Sequence, residues 1–168
     1  MAQPHQKNTA IILHGGETTT KDKYLSSNCP TYGLTNSQLQ SQGYIDSEGN
    51  LTAQHDAATA NWGGDWRMPT YDELNELRTQ CTWTWTTKNG VNGYKVSSKV
   101  NSNYIFLPAA GYRDGSSLNY AGRFGFYWSS TPDGSDSGYA FDLFFVSSGQ
   151  SMIYDGRIYG QSVRPVIE

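Results

Sequence analysis

The chain has 168 residues and a formal net charge of −3, a length that suits one domain able to bury a core without disulfides or bound metals. Binding to nucleic acid requires clustered Lys and Arg at the phosphates, so this class of protein is excluded. No run of about 18 apolar residues is present, and the early apolar segment 10–13 is too short for the core of a signal peptide. We therefore expect neither a membrane span nor an export signal in this chain.

Lysine is distributed unevenly along the chain. All six Lys lie before position 100, whereas all six Phe and seven of the twelve Tyr lie after it, together with eleven Ser and nine Gly. Flat aromatic side chains among small polar residues are typical of diversified binding surfaces. They are equally typical of a β-rich segment with many turns, and composition leaves both interpretations open.

The two cysteines, Cys29 and Cys81, are too few for a disulfide scaffold or a four-cysteine zinc site. Two alternatives remain at this stage. The residues form a single disulfide, or they are two buried thiols that behave as small hydrophobic side chains.

Two short helices are predicted in the first half of the chain. Thr35 is placed to cap a helix that continues to Gln42 and ends at Gly43. Thr52 is placed to cap a second, alanine-rich helix that ends at the glycines 63–64. Both helices span only a few turns.

A third helix has the clearest signal. Thr70 and Glu73 stand three residues apart in a capping box, directly after a proline. Leu74, Leu77 and Cys81 then form an apolar stripe at helical spacing. The polar residues on the other side of this helix are expected to face solvent.

From position 82 the pattern changes to that of strands. Trp83 and Trp85 alternate with Thr, and the Asn-Gly pairs at 89–90 and 92–93 predict the turns of a β-hairpin. The apolar run 104–110 predicts a strand that is buried on both faces. Further strands are predicted at 127–130, 139–146, 152–154 and 162–166.

The predicted strand 139–146 separates two kinds of side chain. Alternation places Phe141, Leu143 and Phe145 on one face and Ala140, Asp142, Phe144 and Val146 on the other. We expect the first set, together with Trp128, to be buried in the core. The second set mixes an acid, an aromatic and aliphatic residues, and we expect Asp142, Phe144 and Val146 to share an exposed face.

The sequence contains no recognisable catalytic or metal-binding motif. The segment 134–138 has Asp136 where a nucleophile elbow requires serine. The histidines, His5, His14 and His55, lack metal-ligand spacing, and we expect them at the surface or at helix ends. The chain is thus expected to be no enzyme and to bind neither a metal nor a cofactor.

Five motifs stand in a fixed order along the chain. They are DAATANWGG at 56–64, WRMPT at 66–70, FLPAAGYR at 106–113, YWSST at 127–131 and GQSVRPV at 160–166. As an ordered set they resemble gut-bacterial and phage proteins related to the Fibrobacter major paralogous domain, in particular the variable proteins of diversity-generating retroelements. The resemblance covers residues 28–167.

The resemblance implies an α+β domain with a C-type lectin-like fold of the formylglycine-generating-enzyme subtype, built of short helices and a mainly antiparallel sheet. In that fold the segment 66–70 leads into a helix, and the strand 162–166 closes the domain. The domain would occupy residues 28–168, with a variable region at about 112–160. The segment 1–27 has no assigned role.

The resemblance also implies how the surface arises. In such proteins a reverse transcriptase miscopies adenines of a template, so that Asn codons change to Tyr, Phe, Asp, Ser, Gly, Ile or Val, and never to Lys, Glu, Gln, Met or Trp. The residues that fit variable, ligand-binding positions are Tyr120, Phe124, Phe126, Tyr139, Asp142, Phe144, Val146, Ser151, Ile153, Tyr154, Asp155, Gly156, Ile158 and Tyr159. Those that fit fixed scaffold are Trp128, Gln150, Met152, Arg157 and Arg164.

Departures from neighbouring families narrow the expected function. No cysteine follows Cys81, so the oxidase activity of formylglycine-generating enzymes is not implied, and the calcium-binding motifs of sugar-binding C-type lectins are absent. We expect a hypervariable module, displayed on a phage particle or a bacterial surface, that binds a protein or glycan on a cell or virus. The alternative is a surface adhesion or structural module with one fixed partner.

Overall fold

Three short helices precede most of the strands in the computed structural model, which describes residues 11–167. The helices are α1 (Asn36–Ser41), α2 (Ala57–Trp62) and α3 (Tyr71–Gln80). The strands are β1 (Ile11–Leu13), β2 (Trp66–Arg67), β3 (Cys81–Lys88), β4 (Val91–Ser98), β5 (Tyr104–Pro108), β6 (Tyr112–Asp114), β7 (Ser117–Asn119), β8 (Phe124–Pro132), β9 (Tyr139–Val146), β10 (Gly149–Gly156), β11 (Gln161–Val163) and β12 (Val166–Ile167). The expected α+β class with short helices is confirmed.

The main sheet has five strands in the order β1-β11-β8-β9-β10. Its neighbours are antiparallel except for the parallel pair β11 and β8. A second antiparallel sheet has the order β3-β4-β5, and β6-β7 and β12-β2 form two-stranded pairs. The single strand predicted at 162–166 is two strands, β11 and β12, separated by Arg164 and Pro165, because proline has no N–H to give to a ladder.

The first and third helices begin at the predicted caps. Thr35 Oγ1 accepts a hydrogen bond from the N–H of Gln38, and Thr70 Oγ1 accepts one from the N–H of Glu73, each at 3.3 Å. The Glu73 carboxylate also accepts two hydrogen bonds from Arg67, at 2.7 and 2.8 Å. This pairing lowers the pKa of Glu73 to about 2 and ties the start of α3 to β2.

The second helix is capped by Asp56, and the prediction of Thr52 was wrong. Asp56 Oδ1 accepts from the backbone N–H groups of residues 58 and 59, and its Oδ2 accepts from the N–H of Met68 at 2.8 Å. Thr52 Oγ1 instead donates to the carbonyl of Gly43. A buried carboxylate satisfies three donors here, whereas a hydroxyl would satisfy fewer.

The predicted hairpin is formed by β3 and β4, but only one Asn-Gly pair turns the chain. Asn89 and Gly90 have φ of 51° and 78°, as a tight hairpin turn requires. The pair 92–93 lies inside β4, where it is paired with β3. In β5 the consecutive residues Phe106 and Leu107 point to opposite faces and are both buried, as predicted, whereas Tyr104 at the start of the strand is exposed.

Helices cover both faces of the main sheet, and each face is named here after its helix. On the α3 face, Leu143 and Phe145 are fully buried, in a cluster with Leu74 of α3 and with the sheet β3-β4-β5. On the α2 face, Trp128 packs with Ala57 and Ala58. The predicted burial of Leu143, Phe145 and Trp128 is confirmed, whereas Phe141 is only half-buried.

The folded unit includes residues that precede position 28. β1 pairs with β11, and Leu13 and Tyr24 are buried. Of the segment 1–27 considered separately in the sequence, residues 1–10 lie outside the described residues, and the remainder packs against the domain.

Cys29 and Cys81 are both free thiols, which decides between the two alternatives for them. Among the described helices, none is long and apolar enough to cross a membrane.

Candidate ligand-binding surface

Most of the predicted variable positions lie on the α2 face of the main sheet. Residues that pair across antiparallel strands point to the same side. Phe126 pairs with Phe144, and Ser151 pairs with Phe144 from the other edge of β9. By this register the positions on the α2 face are Phe124, Phe126, Asp142, Phe144, Val146, Ser151, Ile153 and Asp155.

Six aromatic rings gather at one end of this face, and we call them the aromatic patch. They belong to Tyr112, Tyr120, Phe124, Phe126, Phe144 and Tyr159. Ring centroids are 4.5 Å apart for Tyr120 and Phe124, 5.0 Å for Phe126 and Phe144, 5.2 Å for Tyr112 and Phe126, and 5.3 Å for Tyr112 and Tyr159. Tyr120 is 47% exposed and Phe126 only 8%, with the other four half-buried. The patch is thus a continuous surface that has a buried base.

Tyr120 adopts a backbone conformation that is rare for its type. Its φ is 56°, and for a bulky L-residue the left-handed region costs about 1–2 kcal/mol. The N–H groups of Arg123 and Phe124 both donate to its carbonyl at 3.0 Å and hold the turn. Strain of this kind at an exposed aromatic residue is typical of functional sites.

Tyr139 and Tyr154 do not belong to the aromatic patch, which corrects the expectation that they converge with it. Their rings contact each other at 5.9 Å, and Tyr154 also contacts Phe141 at 6.4 Å. Phe141 in turn packs on Tyr71 of α3 at 4.8 Å. The two-residue period of β9 and β10 sends these side chains to the α3 face.

Gly156 and Ile158 lie at the border of the aromatic patch. A Cβ at Gly156 would lie 3.5 Å from Cε2 of Tyr159 and 3.6 Å from Cγ1 of Ile158. Gly156 is buried and Ile158 is half-buried. A larger residue at position 156 would therefore contact the edge of the patch through Tyr159.

Asp142 is fully buried, so the expectation that it shares an exposed face was wrong. It lies on β9 between Trp128 of β8 and Ile153 of β10, and its carboxyl group interacts with Asp155 and Gln161. Gln161 Nε2 donates to Asp155 Oδ2 at 3.0 Å. Asp142 lies on the face of β9 that the alternation predicted, but these neighbours exclude water from its carboxyl group.

Burial raises the pKa of the carboxyl groups of Asp142 and Asp155, here called the acid pair. Burial, and then the nearby charge of Asp155, raise the pKa of Asp142 well above its usual range, and the amide of Gln161 offsets only part of this rise. Burial also raises the pKa of Asp155. Ionising the acid pair in the free protein therefore costs free energy.

Asp142→Asn is expected to make the protein more stable at pH 8 than the wild type. Because the folded pKa of Asp142 lies above its unfolded value, the stability of the wild type is greatest below the unfolded pKa and falls as the pH rises through the folded one. Asn carries no charge to bury, so the advantage of the variant should grow from pH 4 to pH 8. Urea unfolding across this range measures it, and an equal difference at both pH values would contradict the proposed burial of charge.

The acid pair borders the aromatic patch. Burial raises the pKa of the Tyr112 and Tyr159 hydroxyls, and surrounding negative charge that includes Asp155 raises it further. Both carboxylate oxygens of Asp142 and the Oε1 of Gln161 are buried and lack a well-formed hydrogen bond among the described residues. Acceptors without donors thus lie directly beside exposed rings.

Two members of this surface were missed in the sequence. Tyr112 and Gln161 lie inside the motifs FLPAAGYR and GQSVRPV, which carry the family resemblance, and neither is among the predicted variable positions. For Gln161 a signal was available. It is a long polar side chain at the start of a strand, after a glycine and before residues that are buried. For Tyr112 no signal in the sequence pattern distinguishes it from the scaffold tyrosines.

His14 forms a separate buried cluster, contrary to the expected surface position. Its Nδ1 lies 3.3 Å from Glu17 Oε2, and its ring packs on Tyr24 at 4.8 Å. Burial opposes ionisation of the nearby Cys29 thiol, but interaction with His14 outweighs it and lowers the pKa of Cys29. His5 lies outside the described residues.

Within residues 11–167, no group of three or more His, Cys, Asp or Glu is arranged to hold a metal ion.

A family model described as Domain of unknown function (DUF8237) matches residues 83–166, which is half of the chain. The chain belongs to this family. The DUF8237 region begins in β3 and ends in β12, so it includes every residue of the aromatic patch and of the acid pair. Searches of the curated proteins and of the solved structures found no match.

Proposed function

We propose that this DUF8237 protein is a non-enzymatic binding module that presents the aromatic patch to a ligand on the surface of a cell or virus. The observation that carries the proposal is the convergence of rings from separate segments. Tyr112 comes from β6, Tyr120 from a turn, Phe124 and Phe126 from β8, Phe144 from β9, and Tyr159 from the connection between β10 and β11. Ring contacts join all six on one side of the main sheet.

The physical properties of the aromatic patch suit binding. Aromatic side chains provide large contact areas at low entropic cost, and they supply most of the hot spots of protein interfaces. The half-buried rings are held by their neighbours, and Tyr120 projects from the surface beside them. A contiguous aromatic patch in which five of six rings are at least partly exposed marks a candidate interaction site.

We further propose that the positions of the aromatic patch are diversified by a retroelement. All six of its residues are Tyr or Phe, types that adenine mutagenesis of Asn codons can produce, and all except Tyr112 are among the predicted variable positions. Lysine, which that mutagenesis cannot produce, is absent from position 100 onward. The members of the aromatic patch other than Phe126 are at least partly exposed, so variation at these positions would leave most of the core unchanged.

The resemblance to variable proteins of diversity-generating retroelements supports a C-type lectin-like fold. This is a finer description of the α+β domain. Its expectation of a strand near the C-terminus that closes the domain agrees with β11, which lies between β1 and β8. The segment 66–70 leads into α3, as that fold implies. Solving the crystal structure and comparing it with lectin-like domains would decide this point.

The acid pair is the strongest argument for an enzyme, since paired carboxyl groups with raised pKa values serve as general acids. Asp142 exposes neither of its oxygens, so a substrate cannot contact both carboxyl groups. The arrangement therefore favours binding over catalysis. The second candidate function remains a surface adhesion module in which the aromatic patch has one fixed partner.

The gene itself tests the proposal. We expect a near-copy of its 3′ end beside a reverse-transcriptase gene, and deep sequencing of a natural population should show substitutions concentrated at codons 120, 124, 126, 144 and 159. The codons for the buried Trp128, Leu143 and Phe145 serve as the internal control and should stay constant. If the patch codons and the control codons vary equally, or if neither set varies, diversification is contradicted. The module would then have one fixed partner.

A further inference from the structure

The polar groups beside the aromatic patch consist of acceptors that lack donors. Asp142 is fully buried with both carboxylate oxygens unpartnered, and the Oε1 of the equally buried Gln161 is unpartnered as well. Gln161 is held at this point because its Nε2 donates to Asp155. Buried polar groups in proteins almost always have a partner. A ligand cannot contact these buried oxygens, but a positive charge at the half-buried Asp155 would favour the ionised form of both carboxyl groups.

We propose that Asp155, backed by Asp142 and Gln161, binds a basic side chain of a protein ligand that docks on the aromatic patch. This inference rests on the proposed function, and it selects a protein over a glycan as the ligand. Asp155 is half-buried at the border of the patch and is the group that contacts the incoming cation. Asp142 lies behind it and supplies a second negative charge.

The chemistry of a basic side chain matches both parts of this site. An ammonium or guanidinium group carries N–H donors and no acceptor, so it complements the carboxylate of Asp155. The faces of aromatic rings attract cations, and the ring of Tyr159 lies 3.5 Å from the Cβ position of Gly156, the residue that follows Asp155. Arg123 already lies over the ring of Phe124 at 5.9 Å, which places a cation of this chain itself at the patch.

Two other occupants fit less well. Ca²⁺ takes six to eight oxygen ligands, and no group of three or more acidic, His or Cys residues in the described part of the chain is arranged around a metal. A sugar hydroxyl both donates and accepts hydrogen bonds, and it brings no charge to compensate two carboxylates. A cation removes the cost of ionising the acid pair, so its binding should release protons.

The test uses small probes and the full-length protein. N-acetyl-arginine amide and N-acetyl-lysine amide are titrated by NMR, with N-acetyl-citrulline amide as the neutral probe of matched shape. For a single side chain we expect a Kd on the order of millimolar, with shifts at residues of the acid pair and the aromatic patch. Calorimetry in buffers of different ionisation enthalpy measures the released protons.

Charge-neutralising variants locate the site. Asp155→Asn should weaken the binding of both basic probes at least tenfold, and Asp142→Asn should weaken it less because that group acts from behind. Asp65→Asn removes the same charge from the exposed turn between α2 and β2, and it should bind like the wild type. Urea unfolding of each variant verifies that its fold is intact.

Each outcome bears on the inference. Equal binding of the citrulline probe, or unchanged binding by Asp155→Asn, would overturn it. Tight binding of CaCl₂ that displaces the basic probes would also overturn the inference. The same holds if a methyl glycoside binds at these residues and the basic probes do not. If the basic probes do not bind the wild-type protein, only this inference is overturned, because the population sequencing tests the proposed function independently.

Discussion

Replacing Phe145 by alanine is expected to destabilise the protein by about 3–5 kcal/mol. Phe145 is fully buried on the α3 face, and its ring lies 5.3 Å from that of Tyr94 and 5.9 Å from that of Tyr127. Trp83 and Trp85 also contact it. Removing the ring leaves a cavity between two sheets that cannot close readily, and the free energy of unfolding in urea measures the loss.

The neighbouring residue provides the matched control. Phe144 lies on the opposite face of β9, where it is half-buried and packs on Phe124 and Phe126. Phe144→Ala should cost about 1 kcal/mol or less. Similar losses for the two variants would mean that the register of β9 differs from the one described.

Adding one methyl group at Gly125 is expected to be nearly as harmful as removing the Phe145 ring. A Cβ there would lie 2.0 Å from Cζ of Phe145 and 2.4 Å from its Cε atoms, because Gly125 and Phe145 are paired across β8 and β9. The ring is enclosed and has no room to shift. Gly125→Ala should therefore cost about 3 kcal/mol, at the upper end for overpacked cores, as measured by thermal and urea unfolding.

Gly149 is the control for this substitution. It also lies in a strand of the main sheet, β10, but a Cβ there would have no atom within 4 Å, and its φ is not positive. Gly149→Ala should change the free energy of unfolding by less than about 1 kcal/mol, and in the stabilising direction because alanine restricts the unfolded chain. A large loss at Gly149, or none at Gly125, would contradict the packing described here.

Both predictions bear on the proposed function, because they separate the two faces of one sheet. Phe145 and the adjacent Gly125 lie in the core on the α3 face, so substitutions there are expensive. The aromatic patch on the α2 face contributes much less to the core, and only Phe126 of its members is buried. A protein built in this way can vary its binding surface and keep its fold.

Local interactions explain why the sequence predicted the helices and strands well. The capping boxes at Thr35 and Thr70 are complete within four residues, so no distant part of the chain is needed to recognise them. The strand β9 follows the predicted bounds 139–146, because a two-residue alternation is a property of the segment itself. The same alternation indicated correctly that Leu143 and Phe145 face the core.

The Thr52 prediction shows where local reasoning ends. The prediction placed the cap of α2 at Thr52, whereas the helix begins after Asp56. The N–H of Met68, which lies on a different element, made the buried carboxylate of Asp56 the better partner. In the same way, the pairing of 92–93 with β3 overrode the turn preference of Asn-Gly.

By itself, the sequence determined the α+β class, the order of short helices and strands, and the two faces of β9, since caps and alternation act over a few residues. Only the tertiary structure decided which of the aromatic residues meet. It brought the rings of Tyr139 and Tyr154 together, brought Tyr112 into the aromatic patch and buried Asp142 beside Asp155 and Gln161. The physical reason is that exposure and ring contacts depend on strands paired across distant positions, and periodicity within one strand fixes the side of a residue but not what covers it.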